Sequence, residues 1–338
     1  SSGSRPAVRI ARSPATAAIE AVVSWAAATC RSRMPVRDTI HSSPACADLD
    51  ESRLKAVKAL FPSVETVTDP RKIIDDPAID AVCIAAPTKF HYQFARDALL
   101  AGKHVLCEKP LAMSEKECLD LKEISIKAKK VLMVGHVFMF HSGIRWIKDY
   151  IDSGELGNIY YAHSERTNLG PFRYDVNALW DLAPHDLSIF DHLFSSSPVS
   201  ASARGLKCLG NSLEDLSFAT LDYPEGRLVN IHVSWVDPRK VRQITIVGEK
   251  KMIVFDEFDP IGLVKVYDKS VERTTKYYES YGEFQLLSKE GSITIPKINF
   301  QEPLKAQGQY FLECIRNNRH PDAADADKAA SVVRTLSA

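Results

Sequence analysis

The chain has 338 residues, 45% hydrophobic and 25% charged, and its 43 basic and 43 acidic residues cancel. That length suits about two domains, and the lack of a charge excess excludes a strongly basic or acidic surface, pointing to small molecules rather than nucleic acid or a membrane as partners. No run approaches the roughly 18 apolar residues of a membrane span, because the best stretch, 131–140, is interrupted by Gly135 and His136.

Ser1-Ser2-Gly3-Ser4 reads as an expression scar and stays outside the fold argument. Seven cysteines, an odd number with no CxxC pair, suit a reducing compartment, so a cytoplasmic protein is expected. Residues 5–46 are rich in Ala, Ser and Arg, contain no glycine and show no hydrophobic periodicity. From Asp48 onward the pattern becomes orderly. A short helix is expected over 54–61, and the apolar run 79–86 suits a strand buried on both faces. Thr88 then stands as N-cap of a helix to about Leu100 that Gly102 ends. Val105, Leu106 and Cys107 form the next strand, which runs straight into Glu108-Lys109-Pro110. Ser114-Glu115-Lys116-Glu117 is a capping box opening a helix to about Lys129, and 131–134 is a further buried strand. This alternation of strand and helix means βαβ units and a parallel sheet.

After Gly135 the pattern changes. Ile144, Ile147 and Ile151 stand at helical spacing before Gly154, and a second helix is expected from about Trp180 to Leu193. Beyond Ser200 strands dominate. Val229, Ile231, Val233 and Trp235 alternate with Asn230, His232 and Ser234, following a turn at Pro224-Glu225-Gly226. More strands are expected at 244–247, 252–255, 263–267 and 293–295, with a final helix over 304–316. The second domain is therefore a mostly antiparallel sheet with helices on one face.

Lys109 lies at the carboxyl end of a parallel strand, where ligands of such sheets bind. Desolvation there would lower its pKa and fit it for proton transfer, while the plain alternative is a surface lysine. Lys109-Pro110 is also a candidate cis peptide. Asp181 and His185 stand one helical turn apart, so the carboxylate could orient the imidazole; the plain alternative is a helix-start acid and a structural histidine. A proline in the first turn, Pro184, is tolerated. Asp186 and His192 lie close by, but no third ligand falls at a recognised metal spacing, so no metal is expected. Asp48 sits where an acid ending the second strand hydrogen-bonds the 2′-hydroxyl of an adenine ribose, which favours NAD over NADP. A loop or cap aspartate is the alternative.

Ala85-Ala86-Pro87-Thr88-Lys89-Phe90-His91, Glu108-Lys109-Pro110, Gly135-His136, Ser153-Gly154-Glu155-Leu156-Gly157 and Asp181-x-x-x-His185 follow one another in an order and spacing that resembles the Gfo/Idh/MocA family of NAD(P)-dependent sugar oxidoreductases. The resemblance runs from about Asp48 to the C-terminus. It implies an α/β chain with an N-terminal Rossmann domain over 5–134 and a C-terminal α+β domain over 135–338, whose large, mostly antiparallel open sheet packs between subunits of a homodimer or homotetramer. It implies hydride transfer between a sugar carbon and nicotinamide, with Lys109, Asp181 and His185 at the catalytic positions. Pro87, Thr88, His91 and Glu108 would then lie near the cofactor, with Asn168, Arg173 and Asn177 as substrate contacts. The stretch 166–180 looks like members associated with polysaccharide and nucleotide-sugar metabolism. Pro238-Arg239-Lys240-Val241-Arg242 is either a phosphate contact or a solvated strand end. Glycoside cleavage by transient oxidation, and a non-catalytic sugar-binding relative, are the alternative functions.

One departure bears on the cofactor. A glycine turn is expected about 20 residues before Asp48, and the chain has Val23-Ser24-Trp25-Ala26-Ala27-Ala28-Thr29-Cys30 there. Side chains on every residue obstruct the approach of backbone to a pyrophosphate. Read two bases out of frame, with TCN for the serine, Trp25-Ala26 yields a GGC glycine codon, and the stretch permits Val-Val-Gly-Cys-Gly-Tyr-Leu. Residues 5–45 are therefore expected to be a frame-shifted reading of the first βα unit. Gene sequencing tests this: codons that spell no glycines in the second frame rule it out.

Overall fold

A computed structural model describes residues 45–210, 212–268, 270–272, 287–289 and 291–338. The frame-shift expectation for 5–45, and with it the place of the glycine turn, lies outside the described residues except for Ala45.

The N-terminal half is Rossmann-like. Strand β1 (Ala45–Ala47) pairs in parallel with β2 (Glu65–Val67), joined through the helix Glu51–Leu60. Asp50 caps that helix, its carboxylate accepting the Ser52 N–H, and Leu54 and Val57 form its buried face. A second parallel sheet takes β3 (Ala81–Ile84), β4 (His104–Cys107) and β5 (Leu132–Val134), in that order. The helices His91–Leu100 and Glu115–Ala128 make the crossovers, and Ala95, Ala98, Leu99, Cys118 and Leu121 pack on Val82, Ile84, Val105 and Val134. Ser114 caps the second helix as expected. Thr88 does not cap the first. It begins a 3₁₀ turn, Thr88–Phe90, and is itself buried, because the chain enters this helix from Pro87 without a side-chain cap.

The C-terminal half is built on an eight-stranded sheet. In chain order its strands are β6 (Ile159–Leu169), β7 (Ser200–Leu206), β8 (Leu216–Tyr223), β9 (Arg227–Ser234), β10 (Val236–Gly248), β11 (Met252–Asp256) and β12 (Val264–Tyr267). A separate antiparallel pair, β13 (Ser270–Glu272) and β14 (Leu287–Lys289), precedes the last strand, β15 (Ile293–Thr294). The sheet order is β15-β12-β11-β10-β6-β9-β8-β7, antiparallel throughout except for the β6–β9 pair. The helix Ala178–Phe194 lies on it, burying Ala183, Leu187, Phe190 and Leu193 against Leu221, Val229, Ile231 and Val233.

Among the elements the sequence reading did not name, two hold the site in place. Strand β6 pairs with both β9 and β10, yet its inward residues Ala162, Ser164 and Arg166 are small or polar, so no apolar alternation announces it. The other is a last helix, Ala326–Ser337, that straps the halves together. Ala326, Ala329, Ala330 and Val333 enter the core of the Rossmann-like half, while Val332 and Leu336 enter that of the sheet. Lys122–Asp327 (2.7 Å) and Arg334–Glu115 (3.3 Å) add surface ion pairs. Half-buried Asp191 accepts hydrogen bonds from Tyr223 (2.7 Å), Ser331 (2.9 Å) and Ser197 (3.3 Å), so one carboxylate joins helix, sheet and strap.

The polar interior of β6 is compensated in the same way. Arg166 donates to both oxygens of Asp186, at 2.8 and 3.0 Å, with both side chains enclosed. Removing one partner leaves an uncompensated charge, so Asp186→Ala should lower stability by about 3–5 kcal/mol. Arg166→Met combined with Asp186→Leu should recover most of that loss. Urea unfolding midpoints check both, and equal midpoints for wild type and Asp186→Ala contradict the assignment.

Candidate functional site

The carboxyl ends of the parallel strands meet the helix Ala178–Phe194. Glu108 and Lys109 leave β4 there, and the Lys109–Pro110 peptide is cis. Lys109 Nζ crosses to the other half, donating to the backbone carbonyl of Asp181 at 2.6 Å and standing 3.6 Å from its Oδ1. The helix starts at Ala178, two residues before the expected start, so Pro184 falls beyond the first turn and interrupts the helix's own N–H ladder. The Trp180 carbonyl therefore has no N–H partner from residue 184, and Lys109 bonds the carbonyl next to it, that of Asp181.

The Asp181 carboxylate does not hold His185. Its Oδ1 accepts Arg173 Nη1 at 3.1 Å and its Oδ2 accepts Trp235 Nε1 at 3.3 Å. Arg173 is forked onto Asp175 as well, at 2.9 and 2.6 Å. His185 is therefore fixed by packing: its ring meets the edge of Phe138 at 5.3 Å, Arg166 lies 4.8 Å over the same phenyl ring, and the imidazole Nδ1 is enclosed without a partner. The reason is geometric. One helical turn places two side chains on a common face, but the lysine and arginine arriving from elsewhere attract the carboxylate more strongly than a neutral imidazole does.

Burial sets the electrostatics. It lowers the pKa of Lys109, against the charges of Asp181 and Glu108, and with help from Arg173 and Arg166. It raises that of Glu108, against the Lys109 charge. Both neighbours are thus driven toward neutrality. Gly135, after β5, leaves the space Glu108 occupies: a Cβ there would stand 2.8 Å from Glu108 Oε2 and 3.1 Å from its Cα. Burial also lowers His185 well below its usual value.

The remaining expected residues divide. His91 is a buried brace, its Nδ1 2.8 Å from the Pro110 carbonyl and its Nε2 2.7 Å from the Ala86 carbonyl, linking the ends of β3 and β4. Two carbonyls favour the charged ring, but burial is the larger effect and its pKa is lowered. Asp48 follows β1 and accepts the Asp50 N–H at 2.8 Å, with Arg53 at 3.4 Å. Asn168 bonds the Gly170 carbonyl, and Asn177 is the N-cap of the long helix, its amide also donating to Glu214 at 3.0 Å. Asp186 is taken by Arg166, and no cluster of three metal-type ligands occurs among the described residues. The basic run on β10 is dispersed: Arg239 pairs with Glu165, Lys240 lies over Phe258 and Arg242 forks onto Glu257.

A dinucleotide fits the donor set at these strand ends. A carboxylate ends β1, Pro87 and Thr88 follow β3, and an amine ends β4; the turn that would meet the pyrophosphate lies outside the described residues. The family described as "Oxidoreductase family, NAD-binding Rossmann fold" matches residues 37–136, and the GFO/IDH/MocA C-terminal domain matches 144–254. The chain belongs to the Gfo/Idh/MocA family. Its match starts at residue 37, after the place of the expected glycine turn. Among curated members, the chain is 31% identical to an inositol 2-dehydrogenase of Saccharopolyspora erythraea, over 55% of this chain and 57% of that protein. It is 28% identical to a UDP-N-acetylglucosamine 3-dehydrogenase of Acidithiobacillus ferrooxidans, over 58% and 59%. The chain thus spans somewhat over half the length of these curated relatives. The structure of a levoglucosan dehydrogenase in complex with NADH and levoglucosan shares the fold, with a TM-score of 0.74 at 18% identity over 95% of this chain and 92% of that one.

Sequence reasoning missed Trp235 and Arg166 as parts of this Gfo/Idh/MocA site. Trp235 ends an alternating apolar series and reads as core; only its indole N–H on Asp181 sets it apart. In sequence His136 is a motif residue and a break in the apolar run 131–140, yet it is buried with both ring nitrogens unpartnered.

His104, His136 and His192 are each lowered to about 4, chiefly by burial. Below the usual imidazole value of about 6.5 the unfolded chain takes up protons that the folded chain refuses, so stability falls as pH drops from there toward about 4. Asp191, raised to about 6, acts in the opposite sense and offsets roughly one of the three. His136, almost wholly enclosed, accounts for about 3 kcal/mol. Urea midpoints should be clearly lower at about pH 4.5 than at pH 7, and His136→Phe should narrow the difference; pH-independent midpoints contradict this.

Proposed function

We propose that the protein is an NAD-dependent dehydrogenase that oxidises a hydroxyl of a sugar or nucleotide sugar. The observation that carries this reading is the enclosed Lys109 amine at the end of β4, held against Asp181 of the other half and lowered in pKa by burial. NAD, when bound, supplies a hydride acceptor. Lys109 takes the hydroxyl proton as the carbon gives up its hydride, a task that needs the neutral amine burial favours. His185 binds the same oxygen or shares the proton. Asp181 steadies Lys109 and Arg173 between the two halves, and Arg173, paired with Asp175 and Asp181, would meet a polar group of the substrate by exchanging one of those partners.

Asp48 supports NAD over NADP, since its carboxylate would meet a 2′-phosphate with like charge. Pro87, Thr88 and Glu108 line the nicotinamide side, and His91 holds their loops together. We read the molecule as a homodimer or homotetramer joined through the open sheet, where Tyr161, Phe218 and Leu228 are exposed and Phe218 stacks on His232 at 4.3 Å. We read the protein as cytoplasmic, with a small molecule as its partner; among the described residues all cysteines are free and no helix is long and apolar enough to cross a membrane.

The test pairs turnover with binding. NADH should form from NAD with a sugar or nucleotide-sugar panel, and Lys109→Met should lower kcat/KM roughly a thousandfold while the thermal shift produced by NAD remains. Release of an aglycone without net NADH would favour cleavage by transient oxidation, and absence of any NAD-induced shift would favour a non-catalytic sugar binder.

A further inference from the structure

One carboxylate oxygen, Asp181 Oδ1, stands between two cations. Arg173 Nη1 donates to it at 3.1 Å, while Lys109 Nζ lies 3.6 Å away and donates instead to the backbone carbonyl of the same residue at 2.6 Å. The other oxygen, Oδ2, accepts Trp235 Nε1 at 3.3 Å, which keeps Oδ1 turned toward the cations.

Arg173 is held unequally by its two acids. Its Nε and Nη2 fork onto Asp175 at 2.9 and 2.6 Å, the paired geometry in which arginine meets a carboxylate most strongly, and only Nη1 reaches Asp181. The Nη1 bond can therefore break while the fork stays whole. Arg173 and Asp175 both lie on the loop 170–177 between β6 and the long helix, so one segment carries the pair. Asp175 has no task in the dehydrogenase reading.

Glu108, Arg166, Asp181 and Arg173 are the charges that bear on the Lys109 amine. The rings of His91, His136 and His185, each lowered by burial, face it as neutral groups, and Lys89 bears on Asp175 from the turn after β3. Arg166 is locked onto Asp186 by two bonds, and Glu108 fills the space left by Gly135. Arg173 is the charge of this set that can move.

Oxidation of an alcohol puts a proton on Lys109. The C–H bond breaks with its electron pair going to nicotinamide, the O–H bond breaks with its proton going to Lys109 Nζ, and a carbonyl forms. An enclosed amine that becomes an ammonium needs a carboxylate against it.

We propose, resting on the dehydrogenase reading, that Arg173 is a movable counter-charge: its Nη1 occupies Asp181 Oδ1 while Lys109 is neutral and releases that oxygen to the ammonium as the proton arrives, with Asp175 retaining the guanidinium. The amine is a free base before the transfer and gains an ion pair after it. Lys109, partly exposed, then gives the proton to solvent, and Nη1 returns to Asp181. Asp175 acts only through Arg173 and is a positioning residue.

Two substitutions on the loop should move Lys109 in opposite directions. Arg173→Met removes the competing cation, so the amine holds its proton to higher pH. Asp175→Asn leaves the guanidinium to Asp181 alone, so the amine gives up its proton at lower pH. Each should move the Lys109 midpoint by about one pH unit in an NMR titration of the protein with carbon-labelled lysine, the signal being the one that disappears in Lys109→Met. The rising limb of kcat/KM against pH should move in the same direction as the midpoint in each variant. Damage to the loop alone would lower activity in both variants without parting their midpoints. Midpoints that stay at the wild-type value, or move the same way in both variants, overturn the exchange whether or not the protein oxidises a sugar. Midpoints that part in a wild type and variants that oxidise no sugar overturn the dehydrogenase reading and leave the exchange standing.

Discussion

A primary amine enclosed between two halves of a chain must be neutral or face negative charge, and Lys109 is under both pressures at once. Its side chain is 14% exposed, and the partners it reaches, the carbonyl and carboxylate of Asp181, belong to a helix that starts nearly seventy residues farther along. The rest of the architecture supports that crossing. The parallel strands deliver Glu108 and Lys109, Gly135 leaves room for Glu108, and the long helix presents the carbonyl that receives the amine. The strap helix enters both cores, which fixes the separation of the two halves and therefore the 2.6 Å contact.

The charges around the crossing form a graded set. Arg166 and Asp186 are buried deepest and satisfy one another with two hydrogen bonds. Arg173 is shared between Asp175 and Asp181 in a half-buried layer, and Lys109 faces the same Asp181 carboxylate. Each cation has an acid in reach, so burial does not leave a bare charge, yet Arg166 and Arg173 still press Lys109 toward its neutral form. Structural pairing and the tuning of a proton-transfer group are here the same set of contacts.

Much of the fold was legible because apolar patterning and capping residues act locally. The strands at β3, β4 and β5 are short runs of Val, Ile, Leu and Cys, and the capping box at Ser114 opens the helix it announces. Strand β6 was not legible, since a strand whose inner face carries Ala162, Ser164 and Arg166 is stable only when Asp186 comes from another element to meet the arginine. The strap helix escaped notice because its apolar face is made largely of alanines, whose burial depends on two cores that the helix itself helps to close.

By itself the sequence determined that Lys109 leaves a parallel strand, that Asp181 and His185 share a helix, and that the motifs occur in the order of one family. Those are consequences of spacing and local propensity. Only the tertiary structure decided which groups pair. Asp181 bonds Arg173 and Trp235 and faces Lys109 rather than orienting His185, Asn177 caps a helix, His91 braces two strand ends, and His136 lies enclosed and unpartnered. The physical reason is that hydrogen bonds and desolvation depend on distances of a few ångströms between residues far apart in the chain, and those distances exist only once the two halves have packed.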